Sequence, residues 1–257
     1  MNKYYKITRE DWDKTLLKLT QQYNIYVPVM YGNNQDYELL ESDLVNQIVY
    51  NQPKPATPLK TFFHPIKENV VNLHEHEKKR VIIGVPACDL EALDIQDEMY
   101  LNRDFEDPAY KKHRDSTILI GTDCHSSQEH CHCTTYNVKP YPEKNQDITL
   151  TFTQGLIYLY TNSEKGEEFL NQAERFISYN EPTENEIQNI LDKRTEIEQE
   201  LDQKNKEIPD YKTTGELIQQ SGTDIWEKVF GNVCFLWGMC HDMSYMHVFS
   251  VTGKTRV

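Results

Sequence analysis

Four cysteines carry the clearest chemical signal in this chain: Cys88, Cys124, Cys131 and Cys133, the last three within the run DCHSSQEHCHC. Thiolate is a soft ligand that suits zinc and iron–sulfur clusters. The N-terminus MNKYYKITREDWDK is charged and has no apolar stretch like that of an export signal. Ligation is therefore the expectation here, ahead of disulfide pairing. Four thiolates would complete a 4Fe-4S cluster or a tetrahedral zinc site. The plain alternative is four free cysteines packed as small apolar groups. Cys131 and Cys133 lie in a polar, histidine-rich loop, which favours ligation over core packing. Their Cys-x-Cys spacing is tighter than the usual Cys-x2-Cys, so the loop there must be strained or extended.

Other polar groups near these cysteines have plainer roles. His125, His130 and His132 could ligate metal or donate hydrogen bonds to a cluster, but surface-loop histidines are the simpler expectation. Asp89 and Asp123 each flank a cysteine, and helix capping is the simpler role for Asp89. His74-Glu-His76 has the spacing of a chelating pair on a strand, yet it precedes Glu77-Lys-Lys-Arg80 and reads as an exposed turn. GVPACD lacks the glycines of a dinucleotide fingerprint. With no nucleophile–base arrangement in view, no independent catalytic site is expected.

The elements that must position the cysteines can be read from pattern. Val81–Val85 is a buried-type strand ending in Pro86-Ala87-Cys88-Asp89, and an acidic amphipathic helix follows to Tyr100. Ser116–Gly121 is a second strand, ending in Thr122-Asp123-Cys124. Apolar strands joined through a helix imply a parallel unit, with Cys88 and Cys124 just past adjacent strand ends. Upstream, Thr8 caps a helix to Tyr23, and strands follow at Ile25–Val29 and Tyr37–Leu40. Downstream, Ile148–Phe152 and Leu156–Tyr160 form a hairpin around Thr153-Gln-Gly155, and Glu164–Tyr179 is a helix. Residues 181–222 are a charged helical segment in which Ile187, Ile190, Leu191, Ile197, Leu201 and Ile208 make a thin apolar stripe. The stripe is too irregular for a coiled coil and suits a solvated helix leaning on the core. The fold class is thus α/β (or α+β), a mixed sheet with flanking helices followed by a long charged helix. The domain division is 1–180 for an α/β domain with the cysteines, 181–222 for a helical linker, and 223–257 for a vestigial segment.

Bulk properties bound the partners. With a net charge of −14, nucleic acid and anionic membrane are disfavoured, because both need clustered Lys and Arg. Apolar runs are short and hydrophobic content is 38%, so no span of a bilayer is expected and the location reads as cytoplasmic.

Residues 223–257, ending WEKVFGNVCFLWGMCHDMSYMHVFSVTGKTRV, crowd Met, Trp, Phe, Cys and His without a period. Read one base later, the codons make sense. Met is ATG, so a following codon that begins with T or C forces Cys in the shifted frame. Met239-Cys240, Met243-Ser244 (with a TCN serine codon) and Met246-His247 each meet this condition, and Trp237-Gly238 forces Gly. The remaining codons permit Cys at positions 233, 236 and 248 and Pro at 244. The result fits C-x2-C-x2-C-x3-C-P, the run that holds an iron–sulfur cubane. The expectation is a frame break near Gly231–Val233, with the last residues translated out of frame.

The stretches YVPV, PLKTFFHPIKENVVNL, VIIGVPACDLEALDIQDEMYL, ILIGTDCHSSQEHCHC and SEKGEEFL resemble the family of iron–sulfur proteins that holds the beta subunits of sulfhydrogenases and their counterpart in anaerobic sulfite reductase, over most of residues 20–230. In that family a cysteine-bearing N-terminal domain precedes a ferredoxin-like domain that opens with CxxCGxCxxxCPTCxC. The resemblance implies a dicluster electron-transfer protein that relays electrons between a flavin subunit oxidising NAD(P)H and a catalytic reductase or hydrogenase subunit. It also places all four of Cys88, Cys124, Cys131 and Cys133 on family cysteine positions. As translated, the chain departs from the family: the C-terminal ferredoxin-like domain with both its cubane sites is missing, and Cys234 and Cys240 match no family ligand position. Two other readings stand beside this one: a zinc-stabilised scaffold, and a non-functional fragment of a broken gene.

Overall fold

A computed structural model describes residues 3–53, 55–64, 78–101, 106–209 and 211–230. The chain divides into two compact units, Met1–Asn205 and Lys206–Val257.

The first unit is built on one mixed sheet. Its strands are β1 (Tyr4–Thr8), β2 (Asn24–Tyr31), β3 (Asn34–Leu39), β4 (Arg80–Pro86), β5 (Thr117–Thr122), β6 (Ile148–Thr153) and β7 (Leu156–Thr161), in the order β1-β7-β6-β5-β4-β2-β3. The centre, β2-β4-β5-β6, is parallel. Antiparallel hairpins extend it at both sides. The expected β4–β5 pair is present and in register from Arg80↔Thr117 to Pro86↔Thr122, with a shift between Ile83 and Val85. Gly84 makes that bulge with φ at +81°, and a Cβ there would lie 2.7 Å from Cγ of Pro28 on β2. Only glycine meets both conditions.

Helices cover the two faces. On one, Trp12, Leu16 and Leu19 of α1 (Arg9–Leu19) and Phe169 and Leu170 of α4 (Glu164–Ala173) pack on Ile25, Val81, Ile83, Ile120, Leu150 and Leu159. Thr8 caps α1 by accepting from Asp11 N. On the other face, Leu90 and Leu93 of α2 (Ala87–Leu101) and Tyr110 of α3 (Pro108–Asp115) pack on Ile82, Val85 and Leu119. The alternation along β4 splits its side chains between the two cores, as the strand's two-residue period requires. Each fully buried Leu or Ile contributes roughly 1.5–3 kcal/mol relative to exposure.

The α4 helix is shorter than the expected Glu164–Tyr179. The chain leaves it because Asn180 bridges to Lys6 on β1, with N···O distances of 2.7 and 3.0 Å. Strand β1 and helix α3 are additions to the elements expected from pattern. The charged segment begins with α5 (Glu184–Asn205), opened by a capping box. Thr183 N donates to Glu186 Oε2 at 2.8 Å, and Glu186 N donates to Thr183 Oγ1 at 3.4 Å.

The second unit contains α6 (Tyr211–Gln220) and α7 (Thr223–Phe230). Among the described residues no helix is long and apolar enough to cross a membrane.

Candidate metal centre

Two parallel strand ends and one long loop build the site. Strand β4 ends at Pro86, and Cys88 is the second residue of α2. Strand β5 ends at Thr122, the register partner of Pro86, and Cys124 follows two residues later. The chain then runs as a loop over 123–147 before entering β6, parallel to β5. A parallel connection is usually helical. Here it holds only a 3₁₀ turn at Cys133–Tyr136, closed by Asn137 in the left-handed region at φ +58°. His130 is also left-handed, at φ +65°, and turns the chain just before Cys131.

All four cysteines line one cavity of about 400 Å3. Ala87, Ala92, Ile95, Val138, Pro140 and Leu201 give it mainly apolar walls, and Tyr136, His130, His132 and Lys139 also line it. All four are free thiols. Among the described residues no three His, Cys, Asp or Glu side chains are placed to hold a single metal ion.

Their electrostatics follow from crowding in a low-dielectric setting. Cys88 is exposed at the residue level, yet the protein around its sulfur raises the thiol above its ordinary value by desolvation, with Asp89, Cys133 and Cys131 adding repulsion. Burial raises Cys124 well above the ordinary value, reinforced by Cys88, Cys133, Asp123 and Cys131. Cys133 rises for the same reason, with repulsion from Cys131 as the next cause. Each of these thiols is protonated at neutral pH when nothing is bound. Backbone N–H groups nevertheless point at the sulfurs. Gln128 N donates to Cys131 Sγ at 3.3 Å. The amides of Asp89 and Thr134 favour the thiolates of Cys88 and Cys133.

The flanking polar residues have structural work. Asp123 is 1% exposed, and Arg194 on α5 grips it with two bonds of 2.8 and 3.0 Å. Thr151 Oγ1 adds a third at 2.7 Å, so both carboxylate oxygens are occupied. Asp89 is the third residue of α2, inside the first turn and not at its cap, and burial lifts its carboxyl to about 6. His125 Nδ1 accepts from Asn51 Nδ2 at 2.8 Å, which leaves the proton on Nε2. Burial lowers the pKa of this ring, so it stays neutral. His130 is exposed, beside Glu129. His74 and His76 lie outside the described residues, as do Cys234 and Cys240.

Two supports make contacts that have no evident signal in the sequence. Asn51, left-handed at φ +58°, ties the loop to the sheet. Its Oδ1 accepts from Thr122 Oγ1 and Phe152 N, both at 3.1 Å, and its Nδ2 reaches Phe152 O and His125. Helix α5 is the second. Lys204 Nζ donates to Gln128 O at 2.6 Å, Asn205 Nδ2 to Cys131 O at 3.0 Å, and Ser127 Oγ to Glu200 at 2.6 Å. Glu198 pairs with Lys139, and Leu201 walls the cavity. The charged helix therefore does more than lean on the core: it straps down the cysteine loop. Only the capping signal Thr183-Glu-Asn-Glu186 marks in the sequence where it starts.

The chain is similar to a sulfhydrogenase component. Over 195 residues it is 24% identical to Sulfhydrogenase 2 subunit beta of Pyrococcus furiosus, a match that covers 73% of this chain and 56% of that protein. The chain thus spans about half the length of this relative. No family model matches it.

Proposed function

We propose that this chain is an electron-transfer subunit holding a 4Fe-4S cluster on Cys88, Cys124, Cys131 and Cys133. The observation that carries the reading is the meeting of four thiols from two strand ends and one loop on a single cavity of about 400 Å3. The donor set also fits the group: soft sulfur ligands, apolar walls and backbone N–H groups directed at sulfur, the features that tune such clusters. A bound cluster would supply a one-electron carrier. The protein's part is to release the thiol protons on loading, to offset the sulfur charge with the amides of Asp89, Gln128 and Thr134, and to shield the site beneath α5.

The similarity to a protein named as a subunit supports partner subunits in general, and we propose a flavin subunit that oxidises NAD(P)H on one side and a catalytic reductase or hydrogenase subunit on the other. We further propose that residues 223–257 are the out-of-frame start of a ferredoxin-like domain, so that the relay is cut short in this chain. That segment lies mostly outside the described residues.

Anaerobic purification tests the reading. The expected protein is brown, absorbs broadly near about 400 nm from sulfide-to-iron charge transfer, and holds about four iron and four sulfide per chain. Cys131→Ser or Cys133→Ser is expected to remove most of the colour and iron. A colourless protein with one zinc would replace the redox reading by a zinc scaffold. Iron content unchanged in both variants would refute the four-cysteine set.

A further inference from the structure

The cysteine cavity opens at the surface, and the residues around its mouth are not those of an ordinary solvated face. Cys88 is the exposed one of the four cysteines. Ala92 and Ile95 follow it on α2, one and two turns on, and all three line the cavity. Leu90 and Leu93 already bury the other side of this helix in the core. A helix that covers a sheet normally turns polar residues outward. Here Ile95 is 61% exposed, and Tyr136 of the cysteine loop, which lines the same cavity, is 53% exposed. Single exposed apolar residues are ordinary, but these two meet with Ala92 and Val138 around one opening.

Carboxylates frame the patch. Glu91 lines the cavity and shares Lys144 with Asp94. Glu129 stands beside His130, another lining residue. Asp202 on α5 acts on the Cys133 sulfur as a like charge, and Lys139 is offset by Glu198. The mouth is therefore apolar at its centre and acidic at its rim. An apolar centre within a charged rim is the anatomy of a protein interface, and small ones serve transient electron-transfer encounters. The sign of the rim selects the partner. It attracts and steers a basic surface. It repels a second copy of this chain, whose net charge is −14.

We propose that the face around Cys88, Ile95 and Tyr136 is where a redox protein with a basic surface docks to exchange one electron. The electron rests on the cluster reading above; the docking face does not. In the exchange one electron leaves the reduced cluster for an oxidised one-electron centre of the partner, and no bond is made or broken.

A strongly basic c-type cytochrome is the probe, against the full chain purified anaerobically. Two readouts come from one preparation. The first is the rate at which the chain, reduced with dithionite and desalted, reduces the ferric haem. The second is carbodiimide cross-linking of the chain's carboxylates to the cytochrome's lysines, which needs no cluster. Cross-links are expected at Glu91, Asp94, Glu129 and Asp202, and both signals are expected to fall with salt. Asp94→Lys and Asp202→Lys change exposed positions. Each is expected to lower both signals about threefold or more while iron content holds. Ile95→Ser, with no change of charge, is expected to lower cross-linking about tenfold. Glu168→Lys makes the same charge change at an exposed position of α4, which packs on the other face of the sheet, and is expected to leave both signals as they are. Cross-links spread over the chain, or a Glu168→Lys effect as large as that of Asp94→Lys, would overturn the docking face. A preparation without iron would defeat the cluster reading instead, and the cross-link map would still decide the face.

Discussion

At the scale of single residues, the site is held by groups whose charges are managed by burial. Cys124 and Cys133 illustrate this, and Asp13 shows the same physics away from them. Asp13 is 6% exposed, accepts from Tyr50 Oη at 2.5 Å and pairs with Arg9 at 3.3 Å. Burial still wins and raises its carboxyl above the usual value, while Tyr50 is held protonated well above its own. A carboxyl raised in the native state binds its proton more tightly there than in the unfolded chain. Its contribution is therefore full below about pH 4 and is lost as pH rises through the native value. Asp13→Asn keeps an acceptor for Tyr50 and removes this dependence. Thermal melts from about pH 4 to 7 are expected to show the wild type losing ground to Asp13→Asn as pH rises. A constant difference across that range would mean the ion pair with Arg9 cancels the burial cost.

At the scale of elements, α5 is the part whose role changes most between pattern and structure. Of the stripe expected along it, Ile197 and Leu201 are buried, one turn apart, with the polar Asn205 buried one turn further on, while Leu191 is 45% exposed. Polar contacts do the remaining work, and the Arg194–Asp123 pair dominates them. Arg194→Ala would leave the Asp123 carboxylate buried and unpaired beside Cys124. Breaking a buried pair in this way costs about 3–5 kcal/mol. Urea denaturation of the variant is expected to show a loss of this size, together with weaker iron retention after anaerobic loading. A loss below about 1 kcal/mol would place the pair among exposed ion pairs of little weight. Thr183→Ala removes the cap at the other end of the same helix and is expected to cost about 1 kcal/mol. Iron retention should survive it, because no cysteine contact lies in that turn.

At the scale of the whole molecule, the first unit closes at Asn205, the residue that binds the Cys131 carbonyl. The described residues that line the cysteine cavity all lie within Met1–Asn205. If residues 223–257 are out of frame as proposed, they were never matched to this core, and deletion of residues 231–257 is expected to leave the main melting transition within about 2 °C. A drop of several degrees would show that those residues belong to the fold. The gene itself tests the frame break: read one base later from about codon 233, it is expected to encode the cubane run and continue into a second. With its partners, the chain as translated is expected to support little NAD(P)H-linked turnover, and the frame-restored chain much more.

What pattern alone determines here is local. Strands β4 and β5, the hairpin β6–β7 and helices α1 and α2 are legible because apolar periodicity and turn residues act over a few positions. The placing of Cys88 and Cys124 beyond adjacent strand ends follows from the same signals. Strand β1 is not legible, because it exists through pairing with β7, most of the chain away. Helix α3 carries a readable start in Asp107 and Pro108, whose cap bonds of 2.9 and 3.0 Å are local, but its eight residues are too few to show an apolar period. Tertiary structure decides the rest. Asn51, Arg194 and Asn205 reach the cysteine loop across 74, 71 and 74 residues of chain. Contacts at that separation leave no periodic trace, because their energy depends on where the folded backbone brings two side chains and not on how those side chains are spaced along it.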